Sequence, residues 1–269
     1  MTLRPPSASS TGLVTGASSG IGADIARELA SRGWGVTLVA RREERLKALA
    51  DELASNRGVR TEVVAADLAD PESRQAMVDE VAARGLDVEI LVNNAGFGTG
   101  GSVHEGDRAA EVAMIRTNVE ALADLTYAYV PQMVERGSGA ILNVASTAAF
   151  QPLPGSATYS ATKAFVLALS EAMHEELKGT GVTTTAVCPG PVRTPFVDII
   201  SKGESEAASS VPSFVWMSSE DTARAAVDGM LRGRRVVIPG RLNQLTALAS
   251  TYTPHEILLP IVRRFWPFA

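Results

Sequence analysis

Thr15-Gly16-Ala17-Ser18-Ser19-Gly20-Ile21-Gly22 joins a strand-like run, Gly12 to Thr15, to a segment with helical spacing. A strand that turns through glycines straight into a helix leaves bare backbone N–H groups at the positive end of the helix dipole, a place that holds a pyrophosphate. The helix, Ile21–Arg32, carries Ile21, Ile25 and Leu29 on one stripe and stops before Gly33. The stripe speaks for packing and the turn before it for a nucleotide. A glycine-rich turn by itself is equally a tight connection; its place between strand and helix is what favours the nucleotide.

Outward from this turn the same alternation continues to Pro239. Seven candidate strands lie near Gly12–Thr15, Val36–Ala40, Thr61–Ala66, Ile90–Asn93, Ala140–Val144, Thr183–Val187 and Val236–Ile238, separated by apolar residues at helical spacing. Strands alternating with helices make a parallel sheet of βαβ units, here an α/β fold with helices on both faces. A chain of 269 residues buries roughly 70–75% of its unfolded surface, enough for such a sheet in one domain. That domain is expected over residues 11–240, after a flexible Pro/Ser leader (1–10) and before an apolar, helical tail (241–269).

Composition removes several function classes. A net charge of −5 offers no broad basic surface for nucleic acid. The three histidines, His104, His174 and His255, stand far apart, and no metal site is expected. Cys188, the lone cysteine, lies in an apolar run and reads as core packing in a reducing compartment. There is no apolar run of about 20 residues and no signal-like start, which makes the cytoplasm the expected location.

About 20 residues past the glycines, where a carboxylate would hold the ribose 2′-OH of NAD, stand Ala40, Arg41 and Arg42. Guanidinium pairs with a 2′-phosphate that a carboxylate would repel, so NADP(H) is the expected cofactor. The competing reading is a solvated pair bridging to Glu43 or Glu44.

Further along come Asp67-Leu68, Asn93-Asn94-Ala95-Gly96, Asn118, Ser146, Tyr159-Ser160-Ala161-Thr162-Lys163 and Pro189-Gly190-Pro191-Val192-Arg193-Thr194. Each has an ordinary explanation: a turn aspartate, a solvated residue or local kink at Asn118 inside a helix expected over Arg116–Met133, a surface i,i+4 pair, a Pro/Gly turn. Together with the G-x-x-x-G-x-G spacing they resemble the short-chain dehydrogenase/reductase family from about Thr11 to Gly240. Leu38 to Arg42, Tyr159 to Val166 and Cys188 to Pro191 look closest to a bacterial branch similar to 3-oxoacyl, ketosteroid and retinoid reductases.

The resemblance implies a Rossmann-like doubly wound fold and hydride transfer between nicotinamide and a carbonyl or alcohol. It makes Tyr159 the acid/base, has Lys163 lower its pKa and hold the nicotinamide ribose, and has Ser146 orient the substrate oxygen and Asn118 support a water relay to Lys163. Around the dinucleotide it places Gly16, Ser18, Ser19, Gly20, Ile21 and Gly22, the pair Arg41 and Arg42, Asp67, Leu68, Asn94, Ala95 and Gly96. Pro189, Gly190, Val192 and Thr194 would position the carboxamide.

A phenol with a pKa near 10 is a poor base at neutral pH, and lowering it by three units takes about 4 kcal/mol, what a cation about 4 Å away supplies at an effective dielectric near 20. Residues 195–217 occupy the substrate loop, and Phe196, Ile199, Ile200, Phe214, Val215, Trp216 and Met217 suit a lipophilic substrate or a lid packing on itself. The Ser/Glu-rich patch Ser201–Ser210 within it is expected to be mobile.

The tail, with Leu258, Leu259, Ile261, Val262, Arg263, Arg264, Phe265, Trp266 and Phe268, fits a membrane surface, the body or another subunit. In the family, helices corresponding to about Asn118–Met133 and Ala157–Leu177 pair between subunits, which implies a homodimer or homotetramer. A catalytically silent NADP(H) sensor would have no need of the proton relay. An extended-type epimerase or dehydratase would need a longer chain and a different glycine spacing.

Overall fold

Consecutive residues of a strand point to opposite faces, and here both faces are covered, so the inner strands are nearly continuous apolar runs. β1 (Ser10–Thr15) and β4 (Asp87–Asn93) form the middle of the sheet. Val14, Ile90 and Val92 face one layer, while Leu13 and Leu91 face the other. The computed structural model describes residues 3–194 and 215–265. Within them the sheet has seven parallel strands in the order β3-β2-β1-β4-β5-β6-β7. The remaining strands are β2 (Gly35–Ala40), β3 (Thr61–Ala65), β5 (Gly139–Val144), β6 (Val182–Val187) and β7 (Val236–Val237). The expected strands are all present, with ends displaced by one to three residues at most.

One layer is built on α1 (Gly20–Ser31), α2 (Glu43–Arg57) and α7 (Ser219–Leu231), whose Ile25, Leu29, Leu46, Val227 and Met230 pack with Val14, Leu38 and Leu142. The other is built on α3 (Pro71–Ala83), α5 (Ala121–Arg136) and α6 (Ala157–Glu176), whose Met77, Leu125, Met133 and Met173 pack with Leu13, Val39 and Ile141. A polar ladder runs through this second layer. Asn93 Nδ2 donates to Asn143 Oδ1 (2.9 Å) and Thr126 Oγ1 (3.1 Å), and Asn143 Nδ2 donates to Ser170 Oγ (2.9 Å), tying β4 and β5 to α5 and α6.

Over its described part the leader contacts the body: Leu3 packs against the first layer, Arg4 bonds Ser138 and the Arg136 carbonyl, and Ser9 donates to Asp87. One expectation needs correction. The helix expected over Arg116–Met133 begins earlier, as α4 (Arg108–Ile115), capped by the Asp107 carboxylate on the N–H groups of Ala109 and Ala110. It then passes through a π-helical turn, Arg116–Glu120, before continuing as α5. Asn118 sits in that turn and is buried, so it is a local irregularity but not a solvated one. The tail is helical, as α8 (Arg241–Tyr252) and α9 (His255–Phe265).

Candidate active site

The chain steps from β1 outward to β3 and returns on the other side of β1 as β4, which makes the gap between the C-terminal ends of β1 and β4 a topological switch point, where open α/β sheets bind ligands. A cleft of about 530 Å³ opens there. Its floor is set by one hydroxyl. Thr15 Oγ1 accepts from the N–H groups of Asn94 (2.9 Å) and Ala95 (3.0 Å) and donates to the Val92 carbonyl (3.1 Å). In return Asn94 Nδ2 donates to the Thr15 carbonyl (2.8 Å), so the turn after β1 and the turn after β4 are locked side by side. Gly16 (φ +66) lies in the left-handed region, and a Cβ on Gly22 would come within 2.3 Å of Asn94 Nδ2, so this lock tolerates no side chain at either position.

At one end of the cleft Arg42 donates to Ser18 Oγ (2.9 Å) and Ser19 Oγ (2.9 Å) and so braces the glycine turn. Glu43 and Glu44 pair with Lys47 instead, which removes the bridging reading of the arginines. Arg41, exposed on the cleft wall, has no side-chain hydrogen bond or ion pair among the described residues. Asp67 and Leu68 stand beside it. Asp67 also behaves as a turn residue, accepting from the Ala69 N–H, and the Leu68 carbonyl is held by Arg74 (2.8 Å). Arg74 is almost wholly buried and reaches on to Glu120 and Asp124, at the π-helical turn and the start of α5.

At the other end, α6 presents Tyr159 and Lys163 on one face. The Tyr159 phenol hydrogen-bonds the Ser146 hydroxyl, and Ser146 caps the short turn Thr147–Phe150 through the Ala148 N–H (3.1 Å). Lys163 Nζ donates to the Val144 carbonyl (2.9 Å) and lies 5.8 Å from the centre of the tyrosine ring. Burial pushes the phenol up to about 12, opposed by the bond to Ser146, and pushes the ammonium down to about 8. A cation at about the distance of the ring centre contributes about 3 kcal/mol toward the phenolate at an effective dielectric near 20. Cys188 lies in the core with its thiol raised to about 12, as packing requires.

Asn118 stands behind the wall. Its Nδ2 donates to the Phe97 carbonyl (2.9 Å) and Thr162 Oγ1 (3.1 Å), and its Oδ1 accepts from the Phe97 N–H (3.1 Å). Gly96 separates that Oδ1 from Lys163 Nζ. Of the residues predicted from sequence, Gly22 and Asn118 therefore support the cleft without lining it. All the others line it: Gly16, Ser18, Ser19, Gly20, Ile21, Arg41, Arg42, Asp67, Leu68, Asn94, Ala95, Gly96, Ser146, Tyr159, Lys163, Pro189, Gly190, Val192 and Thr194.

A single family model, described as short chain dehydrogenase, matches residues 10–205. The chain belongs to the short-chain dehydrogenase family. It is 41% identical to sulfoacetaldehyde reductase 2 of Chromohalobacter salexigens over 199 residues, 73% of this chain and 78% of that protein. Among solved structures, a short-chain dehydrogenase from Sphingobium yanoikuyae in complex with NADPH superposes with a TM-score of 0.78 at 35% identity, covering 93% of this chain and 95% of that one. A bulky-bulky ketone specific alcohol dehydrogenase from Comamonas testosteroni superposes with a TM-score of 0.74 at 30% identity, over 91% and 94% of the two chains.

As a short-chain dehydrogenase, the chain shows several parts that its motifs did not reveal. Phe97, Ala148 and Leu153 give the tyrosine end an apolar wall, and Gln151 lines the cleft beside them. Phe97 directly follows the Asn94-Ala95-Gly96 motif and Leu153 lies in the connection between Ser146 and Tyr159, so position alone could have flagged them. Of the loop 195–217, residues 195–214 lie outside the described residues, as do Trp266 and Phe268. Trp216 lines the cleft, and Met217 bridges Val192. The tail packs on the body: Leu258 is buried, and Val262 lies against the cluster of Met114, Ala148, Leu153 and Tyr159. Among the described residues no helix is long and apolar enough to cross a membrane, and no group of three His, Cys, Asp or Glu gathers as a metal site.

Thr15→Val keeps the shape and removes one acceptor and one donor, leaving two N–H groups and a carbonyl without this partner. The expected loss is about 2–4 kcal/mol of unfolding free energy. A rise in hydrogen exchange at Asn94 and Ala95 larger than that within β4 would locate it; a uniform rise across the sheet would show that the lock is not local.

Proposed function

We propose that this chain reduces an apolar ketone or aldehyde with NADPH, in one catalytic domain spanning residues 11–240. It is an oxidoreductase of the short-chain dehydrogenase family acting on a small carbonyl or alcohol compound with NADP(H). The observation that carries this reading is the buried Tyr159 phenol hydrogen-bonded to Ser146 on the wall of the cleft. Carbonyl reduction needs a proton delivered to oxygen, and the protonated phenol can supply it.

The residues present fit the dinucleotide. The glycine turn offers its N–H groups, Arg41 is an uncommitted guanidinium where the 2′-phosphate would lie, and Lys163 is placed for the nicotinamide ribose. Bound there, NADPH supplies the hydride. Ser146 orients the substrate oxygen toward the Tyr159 hydroxyl, which gives up its proton as charge develops on that oxygen. Lys163, charged below about pH 8, favours the phenolate that results. Asn118 holds Phe97 to Thr162 and thereby fixes the wall next to Lys163. The wall of Phe97, Ala148 and Leu153 favours a lipophilic substrate over a sulfonated aldehyde of the kind named for the Chromohalobacter salexigens enzyme.

A homodimer or homotetramer is part of the proposal. Val112 and Ile115 on α4, Tyr127 and Val134 on α5 and Phe165 on α6 are exposed apolar residues that a second copy would cover. The unpaired thiol in the core suits a reducing, cytoplasmic setting. On the tail, Leu245, Leu248 and Tyr252 of α8 and Ile257 and Ile261 of α9 are exposed, α9 carries Arg263 and Arg264 in its last turn, and together these residues would rest on an anionic lipid surface.

Three measurements test these statements. Tyr159→Phe should cut NADPH-dependent ketone reduction by about 10²–10⁴-fold while NADPH binding stays within a few-fold; more than about a tenth of the wild-type rate would remove the acid role. Arg41→Ala should weaken NADPH binding, read by fluorescence titration, by roughly 10- to 150-fold and leave NADH nearly unchanged. Ala40→Asp combined with Arg41→Ala should invert the preference, and an unaltered ratio would mean that Arg41 does not read the phosphate. The wild type should co-sediment with anionic but not neutral vesicles, and Leu248→Ser with Ile261→Ser should abolish this; absence of any wild-type binding ends the membrane reading.

A further inference from the structure

The tail touches the cleft region at three separate points. At the start of α8, buried Asn243 packs against Gly190 of the loop after β6 and donates to the Pro239 carbonyl (2.9 Å). At its far end Ser250 Oγ donates to Gln151 Oε1 (2.6 Å), and Gln151 lines the cleft. The chain then turns back as α9, whose Leu258 and Val262, one helical turn apart, face inward while Ile257 and Ile261 face outward. Val262 meets the cluster of Met114, Ala148, Leu153 and Tyr159, and Phe97 packs on the same cluster.

The cleft therefore has two chemically different ends. Its nucleotide end carries guanidinium, hydroxyls and glycine N–H groups. Its tyrosine end has an apolar wall of Phe97, Ala148 and Leu153, and Val262 of α9 packs behind that wall, outside the lining of the cleft. A carbonyl carbon reacting at Tyr159 carries a substituent that meets this wall, and close packing behind the wall limits how far it can give.

We propose that Val262 is a specificity-determining residue: from the C-terminal helix it backs the wall that holds Ala148, Leu153 and Tyr159, and so sets how bulky a group on the carbonyl carbon that wall can admit. The substrate class is a ketone with one small and one larger apolar substituent. The Gln151–Ser250 bond and the Asn243 contact tie α8, the helix from which α9 turns back, to the cleft region. This inference rests on the carbonyl-reductase reading above.

The test uses the full chain with Val262→Ala and Val262→Trp, and acetophenone, propiophenone and butyrophenone as probes. Val262→Ala should raise the butyrophenone-to-acetophenone ratio of kcat/KM by about tenfold, the change falling in KM, and Val262→Trp should lower it by a similar factor. Calorimetric binding of the same ketones to NADPH-saturated Tyr159→Phe protein, with and without Val262→Ala, reads the compartment without turnover and should show the same tenfold change in the ratio of Kd values. Ratios unchanged in both assays overturn the inference, and Val262→Ala decides alone if Val262→Trp does not fold. A wild type that binds the ketones but reduces none sinks the reductase reading while the Kd ratio still judges Val262; one that neither binds nor reduces them overturns both.

Discussion

The hydroxyl of Thr15 is the point on which the rest of the molecule turns. A parallel sheet can place two loops side by side at its switch point, but it cannot by itself hold them at a fixed distance, because the strands have ended and their ladder bonds with them. One side-chain oxygen with two N–H donors and one carbonyl acceptor supplies that hold. Gly16 and Gly22 are small because the loops are locked this closely, and the backbone N–H groups stay directed at the cleft for the same reason. Nucleotide affinity and sheet stability are thus two readings of one junction.

The chemistry at the far end follows from burial more than from charge pairing. A phenol and an ammonium taken from water are both driven toward their neutral forms, so each moves away from the other's needs: the tyrosine holds its proton more tightly and the lysine less. The Ser146 bond opposes the first movement, and the Val144 carbonyl accepts from the lysine's ammonium. Burial thus favours the protonated phenol in the free protein, and the phenolate left when the proton is given up has the Ser146 hydroxyl and the Lys163 ammonium beside it for stabilisation.

The layers of the fold were legible because they follow from local rules: apolar strand runs, stripes such as Ile21, Ile25 and Leu29, and the glycine turn between them. Residues that line the cleft were legible through motif order, since the C-terminal ends of successive strands must meet there. What stayed hidden depends on distant partners. Nothing near Asn118 announces a π-helical turn, because its amide is satisfied by Phe97 and Thr162, 21 and 44 residues away. Leu3 and Arg4 look like part of a loose leader until Ser138 and the first core layer are in place around them. The tail's apolar residues were plain, but which of them face inward is a matter of helix phase against a surface that the sequence does not display.

The partner of Thr15 arrives late. Its hydrogen bonds go to residues 79 and 80 positions further on, and β1 is flanked by β4 rather than closed by the hairpin neighbour that local pairing would supply. At a synthesis rate of about 5–20 residues per second, β1 waits roughly 4–16 s for that partner to be made. Through that interval β1 and β2 have only a provisional sheet with a bare, apolar edge, the kind of edge that recruits other chains. The arrangement that gives the mature protein its nucleotide cleft therefore leaves the nascent one in need of shelter, and crowding of unfinished chains is where aggregation should begin.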